Sequence, residues 1–422
     1  MDPHRFLTHS LQDERLVRIL AAAEDAIEPG MLVREYLAEA SLPAYERVYI
    51  LGIGKAAEPM AYAAADALPD FSKGLIITKR ILSAPRKGIV TMEAAHPIPD
   101  ARSVMAGQAA LGLAAALTEK DLLLCCLSGG GSALAASPRT GIGLRDIQLL
   151  TAALLAAGAS VQETNTLRRH LDGFKGGGLA RATKAQVLSL LLSDVVGNRM
   201  EAIASGPTAP DPTSGADALA ILHKYGIPAP SNVYNVLSTR RTVEDLASSR
   251  VTNVIIGSNE IAAGAAQAQA QKEGMRAEVL RTDLQGEARL VGERLAEKLK
   301  SSAHEISRPF CLIAGGETTV TIQGDGKGGR NQELALAAVD VLSGVEDVAL
   351  ISLATDGDDG PTDAAGAVVT GDTARRASAL GLNPRDSLKR NDSYPFFDAL
   401  GDLLKPGYSG TNVNDLMFLV AL

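Results

Sequence analysis

The residues best equipped for chemistry lie at the ends of apolar runs. LLLCCL, residues 122–127, leads into SGGGSAL, where Ser128, Gly129, Gly130, Gly131 and Ser132 precede a helical pattern. Backbone N–H groups at such a strand-to-helix turn, with the positive end of the helix dipole, suit a phosphate or carboxylate. The same glycines suit a tight turn that needs positive φ, and the loop alone does not separate the two uses. No Gly-Lys-Ser/Thr follows, so the cation that a phosphoryl group needs comes from elsewhere. VYILGIGKAA offers one: Gly52 and Gly54 form a G-x-G-x-x-A pattern after a strand, and Lys55 stands at the mouth of the next helix. As a dinucleotide fingerprint this lacks the acidic residue expected on the next strand. GLIITKR ends instead in Lys79 and Arg80, so an NADP reading would use Arg80 for the 2′-phosphate. In the other reading Lys55 touches a carboxylate or phosphate directly, because a Lys there opposes the helix dipole at a cost of about 0.3–1 kcal/mol.

Further stretches carry the same kind of residues. TNTLRRHLDGFKGGGLA sets Arg168, Arg169, His170 and Lys175 beside Gly176, Gly177 and Gly178, either as a second anion cradle or as a solvated helix face. VLSLLLSDVVGN ends in Asp194 and Asn198, and a strand-end carboxylate can ligate Mg²⁺, accept a hydroxyl proton or cap a turn. GGETTVTIQGDGKGGRNQE carries Glu317, Lys327, Arg330 and Asn331; Arg330 can clamp a carboxylate or phosphate bidentately, as a Lys cannot. TDGDDGPTD gathers Asp356, Asp358, Asp359 and Asp363 without the Glu that closes a calcium loop, leaving Mg²⁺ ligation or a polar turn. Lys55 and Arg330 are therefore the cations expected to serve the glycine loop, in a cleft between domains.

These stretches fall where an open parallel sheet places its ligands, at the carboxyl ends of strands. VYILGIG, GLIITK, DLLLCCLS and VLSLLLSDV alternate with helical patterns, which implies a parallel sheet covered on both faces. A helical segment is expected at LVRILAAAEDAIEPGMLVREYL. Residues 206–250, dense in Pro, Asp and Gly and then weakly periodic, are expected to connect two domains, and a second α/β run extends from NVIIGSN to DLMFLVAL. The fold class is α/β: a Rossmann-like parallel-sheet domain over 1–240 and a smaller α/β domain over 250–422. Of the 422 residues 46% are hydrophobic and 21% charged; aromatics make up 4% with no Trp, so Ala, Leu and Gly build the core. A net charge of −8, without a basic cluster interleaved with aromatics, argues against nucleic acid as a partner. Cys125, Cys126 and Cys311 lack metal-ligand spacing and read as buried thiols in a reducing compartment. No signal-peptide pattern and no run of roughly 18 apolar residues is present, so a cytoplasmic protein without a membrane partner is expected.

Taken in order, LGIGKAAEPMA, LLLCCLSGGGSALAASP, NTLRRHLDGFKGGGLA, LSDVVGNRMEAIASGPTAPDPT, GGETTVTIQGDGKGGRNQELALA, ATDGDDGPTDAAGA and GTNVNDL resemble the class II glycerate kinases. Those proteins carry a C-terminal MOFRL domain and are often labelled hydroxypyruvate reductases; the resemblance covers nearly the whole chain. It implies ATP- and Mg²⁺-dependent phosphorylation of D-glycerate, most often at the 2-hydroxyl, between two α/β domains of a monomer or homodimer. The family's essential Lys and Arg fall by motif on Lys55 and Arg330. On chemical grounds Ser128 to Ser132 and Lys175 to Gly177 would cradle nucleotide phosphates, with Gly52, Gly54, Asn198, Glu317 and Asn331 lining the site. Asp194, helped by Asp356, would hold Mg²⁺ or orient the hydroxyl. Two rivals remain. An NAD(P)H-dependent hydroxypyruvate reductase lacks its ribose acid and a His paired with a carboxylate; His96 and His170 are its candidates, and His96 in AAHPIPD reads as structural. A non-catalytic sugar-phosphate binder would not need Asp194 and Asp356.

Overall fold

The computed structural model describes residues 1–239 and 250–422. The chain divides into two compact units, Pro29–Ile256 on one side and Met1–Glu28 with Gly257–Leu422 on the other. The first is built on six strands: β1 Arg47–Ile53, β2 Lys73–Thr78, β3 Ile89–Glu93, β4 Asp121–Leu127, β5 Gln186–Leu192 and β6 Val251–Gly257. Their order in the sheet is β3-β2-β1-β4-β5-β6, the Rossmann order. The pairs β3–β2, β2–β1, β1–β4 and β4–β5 are all parallel. β4, DLLLCCL, is buried throughout, as a central strand covered on both faces must be. Cys125 and Cys126 are free and buried there, and burial pushes the Cys125 thiol up to about 12. Ile53 pairs with Leu127 and Leu127 with Leu191, so β1, β4 and β5 end level and the turns that follow them start side by side.

The expected connection at 206–250 is largely part of this unit. It contains the helices Gly215–Lys224 and Ser231–Thr239, and its residues 240–249 lie outside the described residues. Leu222, Val233 and Leu237 of these helices form a small core with Leu150, Leu154 and Leu167 of the helices Leu144–Ala156 and Val161–Leu171. Short helices with one buried flank leave only a weak periodic signal.

The second unit has β7 Arg276–Leu284, β8 Phe310–Gly316, β9 Val348–Ala354, β10 Gly366–Thr370, β11 Leu403–Leu404 and β12 Asp415–Ala421, in the order β11-β10-β9-β12-β8-β7. β7 and β8 are parallel, whereas β12 runs antiparallel between β8 and β9. Asp415, the first residue of β12, pairs with Gly316 and with Ala354, the last residues of β8 and β9. The helices Ala288–Glu305 and Arg330–Leu342 cover this sheet through Leu295, Leu299, Leu334 and Val339.

The first 28 residues, counted above with the N-terminal domain, pack into this second unit, and the expected helix over 16–37 divides into Glu14–Asp25 and Pro29–Glu39. Polar bonds hold the segment. The fully buried Asp402 accepts from Thr8 Oγ1 at 3.2 Å, from the Ser10 amide at 2.7 Å and from Ser10 Oγ at 2.9 Å, and it pairs with Arg376 at 2.7 Å. Arg18 grips Glu273 with two bonds of 2.8 Å. No helix among the described residues is long and apolar enough to cross a membrane.

Glu24 lies on the same segment, 2% exposed, and neither carboxyl oxygen has a hydrogen-bond partner among the described residues. Burial pushes its carboxyl up to about 8, opposed by Arg5 and the terminal amine and reinforced by Asp25 and Asp356. The folded chain therefore keeps a proton that the unfolded chain releases above 4.5. Its contribution to stability is complete below that pH and is lost as pH rises through about 8. Glu24→Gln keeps the neutral shape, so it should match wild type near pH 4.5. At about pH 9 it should be more stable by roughly 2–4 kcal/mol in denaturant titrations. A difference that does not grow with pH would overturn this account of Glu24.

Candidate active site

In the N-terminal unit the level strand ends knit two turns together. The Ser128 amide donates to the Ile53 carbonyl at 3.0 Å, the Lys55 amide to the Gly129 carbonyl at 2.9 Å, and the Ala56 amide to Ser128 Oγ at 3.0 Å. The Gly54 amide bonds the Ile77 carbonyl at 3.1 Å, and at φ +132° a side chain on Gly54 would run into Ser128. A Cβ on Gly52 would stand 2.9 Å from the Ala57 oxygen of the helix Ala57–Ala67. Gly52, Gly54 and the 2%-exposed Ser128, all expected at a ligand, thus serve backbone packing. The amides at this helix start are already bonded to the turn after β4. A dinucleotide pyrophosphate would need them, so the fingerprint reading of G-x-G-x-x-A fails here.

The glycine loop differs. The amides of Gly129, Gly130, Gly131 and Ser132 donate to no acceptor among the described residues, and Gly130 turns the loop at φ +85°. A Cβ on Gly130 would stand 3.1 Å from His96 Cδ2 and 3.3 Å from Lys55 Cγ, and one on Gly129 would collide with the Asp194 carboxylate. Ser205 Oγ donates to Ser132 Oγ at 2.8 Å. Ala204 and Ser205 take φ of +51° and +61°, left-handed values that cost energy in non-glycine residues and gather at functional sites. Asn198 lies in the turn after β5, also at positive φ, +52°. The structure thus collects Lys55, His96, Asp194 and Ser205 around the SGGGS loop. Burial, then the charges of Lys55, Lys79 and Arg168, pull the His96 imidazole down to about 4, so it is neutral at pH 7. The sequence reads His96 as structural and passes over Ser205; the AAHPIPD and IASGPT stretches signal turns, not what those turns approach.

KGGG is interior, and here the structure corrects the expectation. Lys175, 3% exposed, bonds the Asp172 carboxylate at 2.6 Å and the Ala135 carbonyl at 3.1 Å. Burial lowers its pKa against the pull of Asp172. The Gly176 amide donates to the Ser205 carbonyl at 3.0 Å and the Gly177 amide to the Gly206 carbonyl at 2.7 Å. Lys175, Gly176 and Gly177 therefore form no second phosphate cradle; they brace the Ser205 turn. Arg169 is likewise engaged with Asp211 at 2.9 Å and His170 with Thr213 at 3.0 Å.

In the C-terminal unit, Arg330 opens the helix Arg330–Leu342 and is clamped by Asp415, Nε at 2.6 Å and Nη2 at 2.8 Å from its two oxygens. A Glu317 oxygen lies 3.6 Å from Nη2. Asp415 is fully buried and Arg330 is 23% exposed. Burial would lower the guanidinium's pKa, but the Asp415 carboxylate outweighs it and raises the pKa, so Arg330 is firmly charged. The next helix amides, Asn331 and Gln332, donate to Asp359 at 3.1 and 2.9 Å. Burial raises this carboxyl to about 6 against those two bonds. Asn331, expected at the ligand, is fully buried with its side-chain oxygen accepting from Ser352 Oγ at 2.6 Å, which makes it part of the core. Asp356 follows β9 and accepts the Asp358 amide at 3.2 Å within its own turn.

Among the described residues no group of three or more His, Cys, Asp or Glu side chains gathers to hold a metal ion. A kinase Mg²⁺ asks for less, one or two carboxylates completed by phosphate oxygens and water. Asp194, lying where a Cβ on Gly129 would be, fits that demand. Removing Asp415 leaves a largely buried cation without its partner. Asp415→Ala should cost about 3–5 kcal/mol in chemical denaturation, and adding Arg330→Ala should recover part of that loss. Strictly additive losses would show that the pair is not coupled.

Residues 15–238 match the domain of unknown function DUF4147 and residues 310–415 match the MOFRL family. The chain is 42% identical over 410 residues to a D-glycerate 2-kinase of Thermotoga maritima, covering 95% of this chain and 96% of that one. It is 40% identical over 385 residues to a glycerate 2-kinase of Pyrococcus horikoshii, covering 89% and 87%. A crystal structure of glycerate kinase from Thermotoga maritima matches with a TM-score of 0.90 at 41% identity, over 96% of this chain and 98% of that one. With both domain families matched in order and relatives aligned along most of its length, the chain belongs to the DUF4147–MOFRL family of glycerate kinases.

Proposed function

We propose that this protein transfers the γ-phosphoryl group of ATP to the 2-hydroxyl of D-glycerate, giving 2-phosphoglycerate and ADP. The observation that carries the reading is the glycine loop, where four amides without an acceptor among the described residues lie beside Lys55 and Asp194. The names of the relatives, D-glycerate 2-kinase and glycerate 2-kinase, supply the acceptor and its position. The closed turn at Gly54 weighs against the reductase alternative.

In this reaction the glycerate hydroxyl oxygen bonds to the γ-phosphorus. The bond from that phosphorus to the bridging oxygen breaks, its electron pair stays on ADP, and the hydroxyl proton is released. Such a transfer needs positioning and charge neutralisation more than covalent help from the protein. The amides of Gly129 to Ser132 hold phosphate oxygens, and Lys55 balances their charge. Asp194 is the carboxylate assigned to Mg²⁺, which when bound neutralises charge on the phosphates. Asp356, also expected at the metal, is given no such role; one of its carboxylate oxygens accepts the Asp358 amide. Arg330 binds the glycerate carboxylate. Its Nη1 makes no hydrogen bond among the described residues, while Asp415 fixes the opposite edge of the guanidinium.

The test is ADP release from ATP and Mg²⁺ with D-glycerate, the product being offered to enolase. Direct consumption by enolase is expected, and Lys55→Ala and Arg330→Ala should each lower turnover by about 10²-fold or more. ADP release without enolase consumption would move the acceptor to the 3-hydroxyl. Absence of ADP release, with hydroxypyruvate oxidising NADPH instead, would sink the kinase reading.

A further inference from the structure

His96 has no part in the kinase assignments above and reads from the sequence as structural, yet it lies against Gly130 of the glycine loop. Its Cδ2 and Nε2 are 3.1 and 3.3 Å from where a Gly130 Cβ would be, on the side of the loop that Lys55 also faces. Neither ring nitrogen has a hydrogen-bond partner among the described residues. A histidine that serves the fold looks different here: His170, 2% exposed, is bonded to Thr213 at 3.0 Å. The charged groups acting on His96 are cations from three elements, Lys55 after β1, Lys79 after β2 and Arg168 near the end of the helix Val161–Leu171. The Asp194 carboxylate lies against the preceding residue of the loop, Gly129.

Resting on the kinase reading, we propose that His96 touches the transferring phosphoryl group, donating a ring N–H to one of its oxygens. With Lys55, Lys79 and Arg168 already nearby, a fourth full charge would hold ADP and product as firmly as the transition state and gain no rate. An uncharged donor adds a directed bond to the oxygens over which charge spreads during transfer. The depressed pKa agrees with this use, because it keeps the ring from becoming a cation when the nucleotide is absent.

The variants His96→Phe and His96→Asn separate the donor from the ring's bulk. Phe keeps a ring without N–H, and Asn keeps an N–H donor without a ring. His96→Phe should lower kcat by about 10²-fold while the KM values for ATP and D-glycerate stay within about threefold. His96→Asn should retain at least about tenfold more kcat than the Phe variant, and both should melt within a few degrees of wild type. A Phe variant within about threefold of wild-type kcat, an Asn variant as slow as Phe, or a loss that follows a lowered Tm would overturn the role of His96. A loss confined to the KM for D-glycerate would overturn it too, placing the ring on the acceptor. Wild-type turnover is the control for the underlying reading: if wild type releases no ADP with D-glycerate, both fall, whereas normal wild-type turnover with an unaffected Phe variant removes only His96.

Discussion

Parallel strands that end level with one another leave no room for side chains between the turns that follow them. The pairings of Ile53 with Leu127 and of Leu127 with Leu191 impose that condition on the N-terminal unit. Its consequences reach every group proposed for phosphate binding there. Gly54 must lack a Cβ because Ser128 fills the space, and Gly129 because Asp194 does. The amides after β1 turn inward to the neighbouring loop, and those after β4 find no acceptor among the described residues. Which of two glycine turns keeps its amides open is thus decided by backbone hydrogen bonds, although both turns carry a plausible motif.

The C-terminal unit solves a different problem, holding a charged arginine at a helix start where the dipole disfavours it. An antiparallel strand, β12, begins where β8 and β9 end, and so delivers Asp415 to the guanidinium. Asp359 caps the following amides and adds negative charge at the same end of the helix. A bidentate pair leaves one edge of the guanidinium bonded and fixes the direction of the rest, which is the geometry that a planar carboxylate requires. A lysine in place of Arg330 would keep the charge and lose that direction.

Much of this was legible in the residues themselves. β4 declares itself by the six-residue apolar run LLLCCL, and Lys55, Asp194 and the SGGGS loop by standing at strand ends. Other parts were not legible for identifiable reasons. DLMFLVA is buried on both faces, so its pattern says strand but is silent on its antiparallel insertion, and with that Asp415 stays hidden. IVTME alternates poorly because β3 is an edge strand with Val90 exposed. KGGG looked like SGGGS, and only the acceptors at Ser205 and Gly206 separate a brace from a cradle. His96 reaches the loop through a turn whose path no local periodicity encodes.

The N-terminal segment bears on biosynthesis. Residues 1–28 are made well before the rest of the unit they pack into, whose remaining chain starts at Gly257. Between them comes Pro29–Ile256, a unit with its own sheet that can close as soon as it is made. At roughly 5–20 residues per second, the leading helix waits on the order of tens of seconds with its apolar face uncovered. The unit that holds residues 1–28 is therefore completed only after Pro29–Ile256 has been made, so this segment waits for its place while the middle of the chain folds.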